Sequence, residues 1–102
     1  MRQRGKRVRT EHLDVRFLAA ASPRVGVIVP RHKHSAVDRN RLKRRLRELA
    51  RTRLLPALPP CDVVIRARVE AYDDPFEALG RQVERAAREI GRLLNPAAGS
   101  GA

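Results

Sequence analysis

The residues of this chain whose types and spacing could do chemistry are cations. Arg39, Asn40, Arg41, Lys43, Arg44, Arg47 and Arg51 are gathered in one short stretch. Winding that stretch as a helix at about 100° per residue puts Asn40, Arg44, Arg47 and Arg51 on one side, with Arg41 and Lys43 flanking it. The chemistry is anion recognition. Guanidinium forks match phosphate oxygens two at a time and stay charged at any relevant pH. Asn40 adds a group that both donates and accepts. Arginines spaced by three and four repel one another by about 0.2–0.5 kcal/mol per pair. Solvated helix faces usually mix signs, and only Glu48 lies nearby here. The face is therefore read as one that meets a polyanion. Arg39 winds closer to the apolar side, where it could bridge to a neighbouring layer or reach the ligand from the helix N-terminus.

Reactive constellations are missing from the rest of the chain. His12, His32 and His34 are the only imidazoles. His32-Lys33-His34 is a poor zinc pair, because a third ligand is lacking and the lysine opposes a cation. Asp73 and Asp74 read as a turn and a helix cap rather than as paired carboxylates. No glycine-rich loop has the spacing of a phosphate cradle. Cys61 has no motif that would stabilise a thiolate. If the chain serves a reaction, its side chains bind and position.

The basic stretch needs elements to hold it. Leu42, Leu46, Leu49, Ala50 and Leu54 recur as one apolar stripe, so residues 36–54 read as a helix with one side buried and the other basic. Ser35 is its N-cap, with Asp38 near the positive end of the helix dipole. Residues 6–10 begin a strand or an extended arm. Leu13, Val15 and Phe17 alternate with Asp14 and Arg16 in a strand over 12–20. The β-branched run 24–29 reads as a central strand, ended by Pro30. Pro56, Pro59 and Pro60 stop the basic helix. Over 62–69, Val63, Ile65 and Ala67 face one way and Val64, Arg66 and Arg68 the other. Asp74-Pro75 opens a second helix with the stripe Phe76, Leu79, Val83, Ala86, Ala87, Ile90, Leu93 and Leu94. The order predicts one α+β domain over 6–94, a small two-layer sandwich of about four strands and two helices, between a disordered basic arm (1–5) and a disordered tail (95–102).

Composition narrows the partner. The 102 residues hold 23 Lys and Arg against 11 Asp and Glu, a net charge of +12. Most of the excess lies in 1–10 and 31–54, while 62–94 is nearly neutral. Nucleic acid or an anionic membrane surface is the favoured partner. The single cysteine excludes an intrachain disulfide and a cysteine zinc site. No apolar run approaches the roughly 20 residues of a bilayer span, and no apolar signal core follows the basic N-terminus. The reading is a cytoplasmic protein.

Val27-Ile28-Val29-Pro30-Arg31, then Ala36-Val37-Asp38-Arg39-Asn40-Arg41-Leu42-Lys43-Arg44 and Arg47-Glu48, resemble the protein component of bacterial ribonuclease P. Asp62-Val63-Val64-Ile65-Arg66-Ala67-Arg68 after a proline-rich loop, and a closing helix near Phe76, follow that family's order. The resemblance covers roughly residues 5–94. It implies a fold like the second domain of ribosomal protein S5, with the basic helix in a left-handed β-α-β crossover, an exception to the right-handed rule. It also implies removal of the 5′ leader from precursor tRNA, with the RNA subunit holding magnesium and cleaving. The protein would bind the catalytic RNA through Arg39, Asn40, Arg41, Lys43, Arg44, Arg47 and Arg51, and the single-stranded leader on its sheet. No catalytic side chain, protein-bound metal, membrane or obligate protein partner is implied.

The chain departs from the family pattern twice. Family members normally begin with a further helix carrying aromatic residues, which walls the leader cleft. Here the first residues already resemble the segment after it, so that wall is expected to be missing, through a shortened protein or a misplaced start. Aromatic residues are 3% of the chain, few for a single-strand stacking platform. Phe17 and Phe76 read first as core rings, so leader binding is expected to fall to Arg16, Arg66 and Arg68, with Phe17 as the one aromatic candidate. His32 and His34 stand where the family tends to have Lys and Gly. The alternative reading is a ribosomal or RNA-chaperone protein that binds structured RNA through the same helix. A membrane-surface role is disfavoured, because the helix lacks aromatic anchors and its stripe suits a core.

Overall fold

The computed structural model describes residues 6–31 and 35–94. The arm at 1–5, the tail at 95–102 and the pair His32 and His34 lie outside the described residues. Four strands are present: β1 (Lys6–Arg9), β2 (Leu13–Ala19), β3 (Arg24–Ile28) and β4 (Cys61–Ala67). They form one sheet in the order β1-β2-β4-β3. β1 and β4 both run antiparallel to β2, while β3 runs parallel to β4. Parallel neighbours need a long crossover. Here it carries helix α1 (Ala36–Leu49), and helix α2 (Phe76–Leu94) closes the chain.

Strand alternation gives the sheet two different faces. Val8, Leu13, Val15, Phe17, Val27, Cys61, Val63, Ile65 and Ala67 point inward and are buried. Leu42, Leu46, Leu49, Ala50 and Leu54 meet them from the α1 side, and Leu79, Val83, Ala86, Ala87 and Ile90 from α2. These residues make one continuous core. Among the described residues no helix covers the other face of the sheet. The Cys61 thiol is buried, and that burial raises its pKa, so it stays protonated and unreactive.

The basic helix starts as its sequence requires. Ser35 is extended, and its Oγ accepts the Asp38 N–H at 3.1 Å. Its end is less regular. Residues 50–54 form a wide π-helical turn, followed by a short 3₁₀ turn at 55–57. Thr52 Oγ1 donates to the Glu48 carbonyl at 2.7 Å, taking the acceptor its own N–H would use in an α-helix. Pro56 supplies no N–H to continue the ladder. The wide turn still buries Leu54, and it brings Arg53 across to α2, where Arg53 pairs with Glu84 at 3.1 Å.

A polar cluster fastens the β1–β2 turn to α2. Gln82, buried within the apolar stripe of α2, accepts from Thr10 Oγ1 at 2.7 Å and from the His12 N–H at 2.9 Å. Its amide donates to Asp74 Oδ2 at 3.1 Å, and the same oxygen holds His12 Nδ1 at 2.7 Å. Asp74 therefore engages His12 and Gln82 across the fold, just ahead of the start of α2 at Phe76. The bond to Asp74 raises the His12 pKa above its usual 6.5, and Glu70 and Glu11 act in the same direction. The pair's stabilising contribution is full below the unfolded value and is lost as pH rises through the raised folded value. The urea midpoint is expected to fall as pH rises above histidine's usual 6.5, through the raised folded value, and a His12→Asn variant to lose that fall. Equal pH dependence of the two proteins would contradict the assignment.

Candidate nucleic-acid interface

The core holds α1 by one side and leaves the other bare. Asn40, Arg41, Arg44, Arg47 and Arg51 are exposed, and Arg39, Lys43 and Arg45 are half-buried along the margins. Burial of Leu42, Leu46 and Leu49 fixes the rotation of the helix, so the cations stay on one presented surface. Arg51 donates to Glu48 at 2.6 Å, so these two largely cancel. Arg41, Arg44, Arg45 and Arg47 have no carboxylate partner among the described residues. An array of uncompensated guanidinium groups on a rigid helix offers several phosphate contacts at once. Arg45 is absent from the set read from sequence, because it falls at the edge of the stripe. Its side chain nevertheless lines the same flank as Arg41.

The second set of expected residues lies on the uncovered face of the sheet, away from the helical layer. Arg16 sits opposite Val64, and Arg66 opposite Asp14. Arg16 and Arg66 are thus diagonal neighbours, about 7–8 Å apart at Cα. Arg68 lies just past β4, with its N–H on the His12 carbonyl at 2.9 Å. All three are exposed. On the same face Val64 pairs with Arg16, Ile28 lies beside Arg66 and Leu18 follows Arg16 along β2, at 37%, 46% and 40% exposure. These apolar side chains are unusual on an outer face and make it mixed cationic and apolar. Asp14 is met by Arg7 at 3.7 Å.

Two aromatic assignments change. Phe17 is 3% exposed and faces the core beside Leu13 and Val15, so its ring is closed to a ligand and it leaves the leader-binding set. The alternation of β2 already pointed it inward. Phe76 goes the other way: expected in the core, it is 38% exposed, with the Arg53 guanidinium over its ring at 5.9 Å. It occupies the first turn of α2, ahead of Leu79, the first buried residue of that helix.

Among the described residues no group of three or more His, Cys, Asp or Glu is placed to hold a metal ion. No helix among them is long and apolar enough to cross a membrane. The surfaces offer cations and apolar contacts.

Comparison with known proteins agrees with this arrangement. The Ribonuclease P family model matches residues 1–91. The ribonuclease P protein component of Thermus thermophilus is 40% identical over 89 residues, covering 87% of this chain and 53% of the relative. That of Syntrophobacter fumaroxidans is 45% identical over 73 residues, covering 67% of this chain and 60% of the relative. The chain spans about half the length of the Thermus relatives it matches. The solved RNase P protein of Staphylococcus aureus aligns with a TM-score of 0.73 at 21% identity, over 84% of this chain and 81% of that one. That of Thermotoga maritima aligns at 0.71 and 25% identity, over 83% of each. With a family match over residues 1–91, and the basic helix set between two parallel strands of a shared fold, the chain belongs to the ribonuclease P protein family.

Proposed function

We propose that this chain is the protein subunit of a ribonuclease P, binding the catalytic RNA through α1 and supporting removal of the 5′ leader from precursor tRNA. The observation that carries the reading is the row Arg41, Arg44 and Arg47, exposed and without carboxylate partners, within the motif that the family match covers. In this reading the cationic helix neutralises phosphates of the catalytic RNA, and Arg39, Asn40 and Lys43 extend the contact. Arg51 contributes less, because Glu48 already occupies it. The uncovered sheet face receives the leader: Arg16, Arg66 and Arg68 meet its phosphates, while Leu18, Ile28 and Val64 lie against its bases.

The chemistry of cleavage belongs to the RNA, which holds the magnesium ions. The chain's part is electrostatic. Its cations lower the repulsion between two polyanions, so fewer magnesium ions are needed to bring catalytic RNA and substrate together. The protein works in the cytoplasm, with these two RNAs as partners.

The alternative, a ribosomal or RNA-chaperone protein, uses the same helix without selectivity for one RNA. Equilibrium binding in moderate salt separates the two. The subunit reading expects the cognate catalytic RNA to bind far more tightly than a ribosomal RNA fragment of equal length. Equal affinity for both would favour the alternative.

A further inference from the structure

The flank of α1 that faces the start of α2 is an open cleft with a composition of its own. Arg41, Arg44, Arg45, Glu48 and Phe76 line it, around a volume of about 480 Å³. Arg41 and Arg45 also line the adjoining cleft, where they face Tyr72. The two clefts share Arg41 and Arg45, and each has one aromatic residue in its lining. Tyr72 is fixed in place by its hydroxyl, which donates to the Pro30 carbonyl at 2.5 Å.

Phe76 is also held, by unusual means. Arg53 lies over its ring at 5.9 Å, and Glu84 secures that guanidinium at 3.1 Å. The room for Arg53 exists because residue 80 is glycine: a Cβ there would stand 2.4 Å from Arg53 Nη1. A large ring is thus kept at the surface, 38% exposed, beside three arginines without carboxylate partners among the described residues. Duplex phosphates alone give no reason for an exposed ring. Aromatic faces next to arginines are the chemistry of unstacked nucleotides, whose bases stack while their phosphates are neutralised.

We propose that this cleft takes a single unpaired nucleotide of the RNA bound by α1, with its base against Phe76 and its phosphate among Arg41, Arg44 and Arg45. The assignment rests on the reading that α1 faces the catalytic RNA, and adds to it a stacking contact that the basic motif does not contain. It gives the helix a means of selecting RNA with a bulged or looped-out nucleotide at one position.

The test is binding of the catalytic RNA by the full chain over a series of salt concentrations. Phe76→Ala is expected to weaken binding roughly tenfold with the salt slope unchanged, because stacking releases no counterions. Phe76→Tyr is expected to bind as the unsubstituted chain does. Arg45→Ala is expected to flatten the slope by about one. Phe76→Leu keeps apolar volume without a π-face, and serves in place of the alanine variant if that fails to fold. Unchanged affinity in a folded Phe76→Ala or Phe76→Leu overturns the proposal. So does a loss accompanied by a flatter slope, which would mean that the ring only props the arginines. Absence of binding by the unsubstituted, folded chain is a failure of the subunit reading itself, and this inference falls with it.

Discussion

Replacing Arg44 and Arg47 together with alanine is expected to weaken binding of the catalytic RNA by at least about a hundredfold while leaving the domain folded. Each guanidinium–phosphate contact is a charge-assisted hydrogen bond worth roughly 1.5–3 kcal/mol, and every 1.4 kcal/mol is about tenfold in affinity. The salt dependence should flatten by about 1.4–1.8 in log–log slope, the counterion release of two lost phosphate contacts. Stability should not fall. Both side chains are exposed and have no carboxylate partner among the described residues. Alanine is the better helix former, and the change relieves repulsion between like charges. Filter binding across a salt series, with a urea melt of each protein, checks both halves. Unchanged affinity and slope would remove the basic face of α1 from the interface.

Truncation of Leu46 to alanine should do the opposite. Leu46 is fully buried under α1, where the helix meets the sheet and α2. The variant loses the transfer energy of the removed methyl groups and gains a cavity, at a cost of about 2–5 kcal/mol. That is a large share of the roughly 5–15 kcal/mol that keeps a domain folded. RNA that binds only the folded state recovers part of the loss by mass action. Binding is therefore expected to keep its salt slope and to weaken only in proportion to the unfolded fraction, together with a much lower urea midpoint. The two variants separate the two parts proposed for α1: Leu46 holds the helix in place, and Arg44 and Arg47 are the proposed contacts to the RNA. A Leu46→Ala protein with the same urea midpoint as the unsubstituted chain would contradict the packing described.

Much of this architecture was legible in the sequence. Period-two alternation in 13–17 and 63–67 placed β2 and β4 and sorted Arg16 and Arg66 onto one face, whereas the β-branched run 24–29, expected as a central strand, is the edge strand β3. The stripe from Leu42 to Leu54 fixed both the buried side of the helix and the basic side, and Ser35 caps it as its residue type predicts. What escaped depends on contacts distant in sequence. Helical periodicity assigned Phe76 to the core, because a period marks a side of a helix and not where along it burial begins, here at Leu79. Gln82 gave no signal, since its burial depends on Thr10 and His12, some seventy residues away. The π-helical turn at 50–54, where Thr52 Oγ1 bonds the Glu48 carbonyl, leaves no mark in hydrophobic patterning. Arg45 was passed over because an angle on a helical wheel does not reveal the cleft formed by a second helix.

The central claim is that this chain serves the RNA-catalysed removal of a tRNA leader. Cleavage of a precursor tRNA by the cognate catalytic RNA at low magnesium, with and without the chain, tests it most directly. The account predicts clear stimulation by the chain, shrinking as magnesium is raised until RNA alone suffices. A folded sample that neither binds the catalytic RNA nor stimulates cleavage would contradict it.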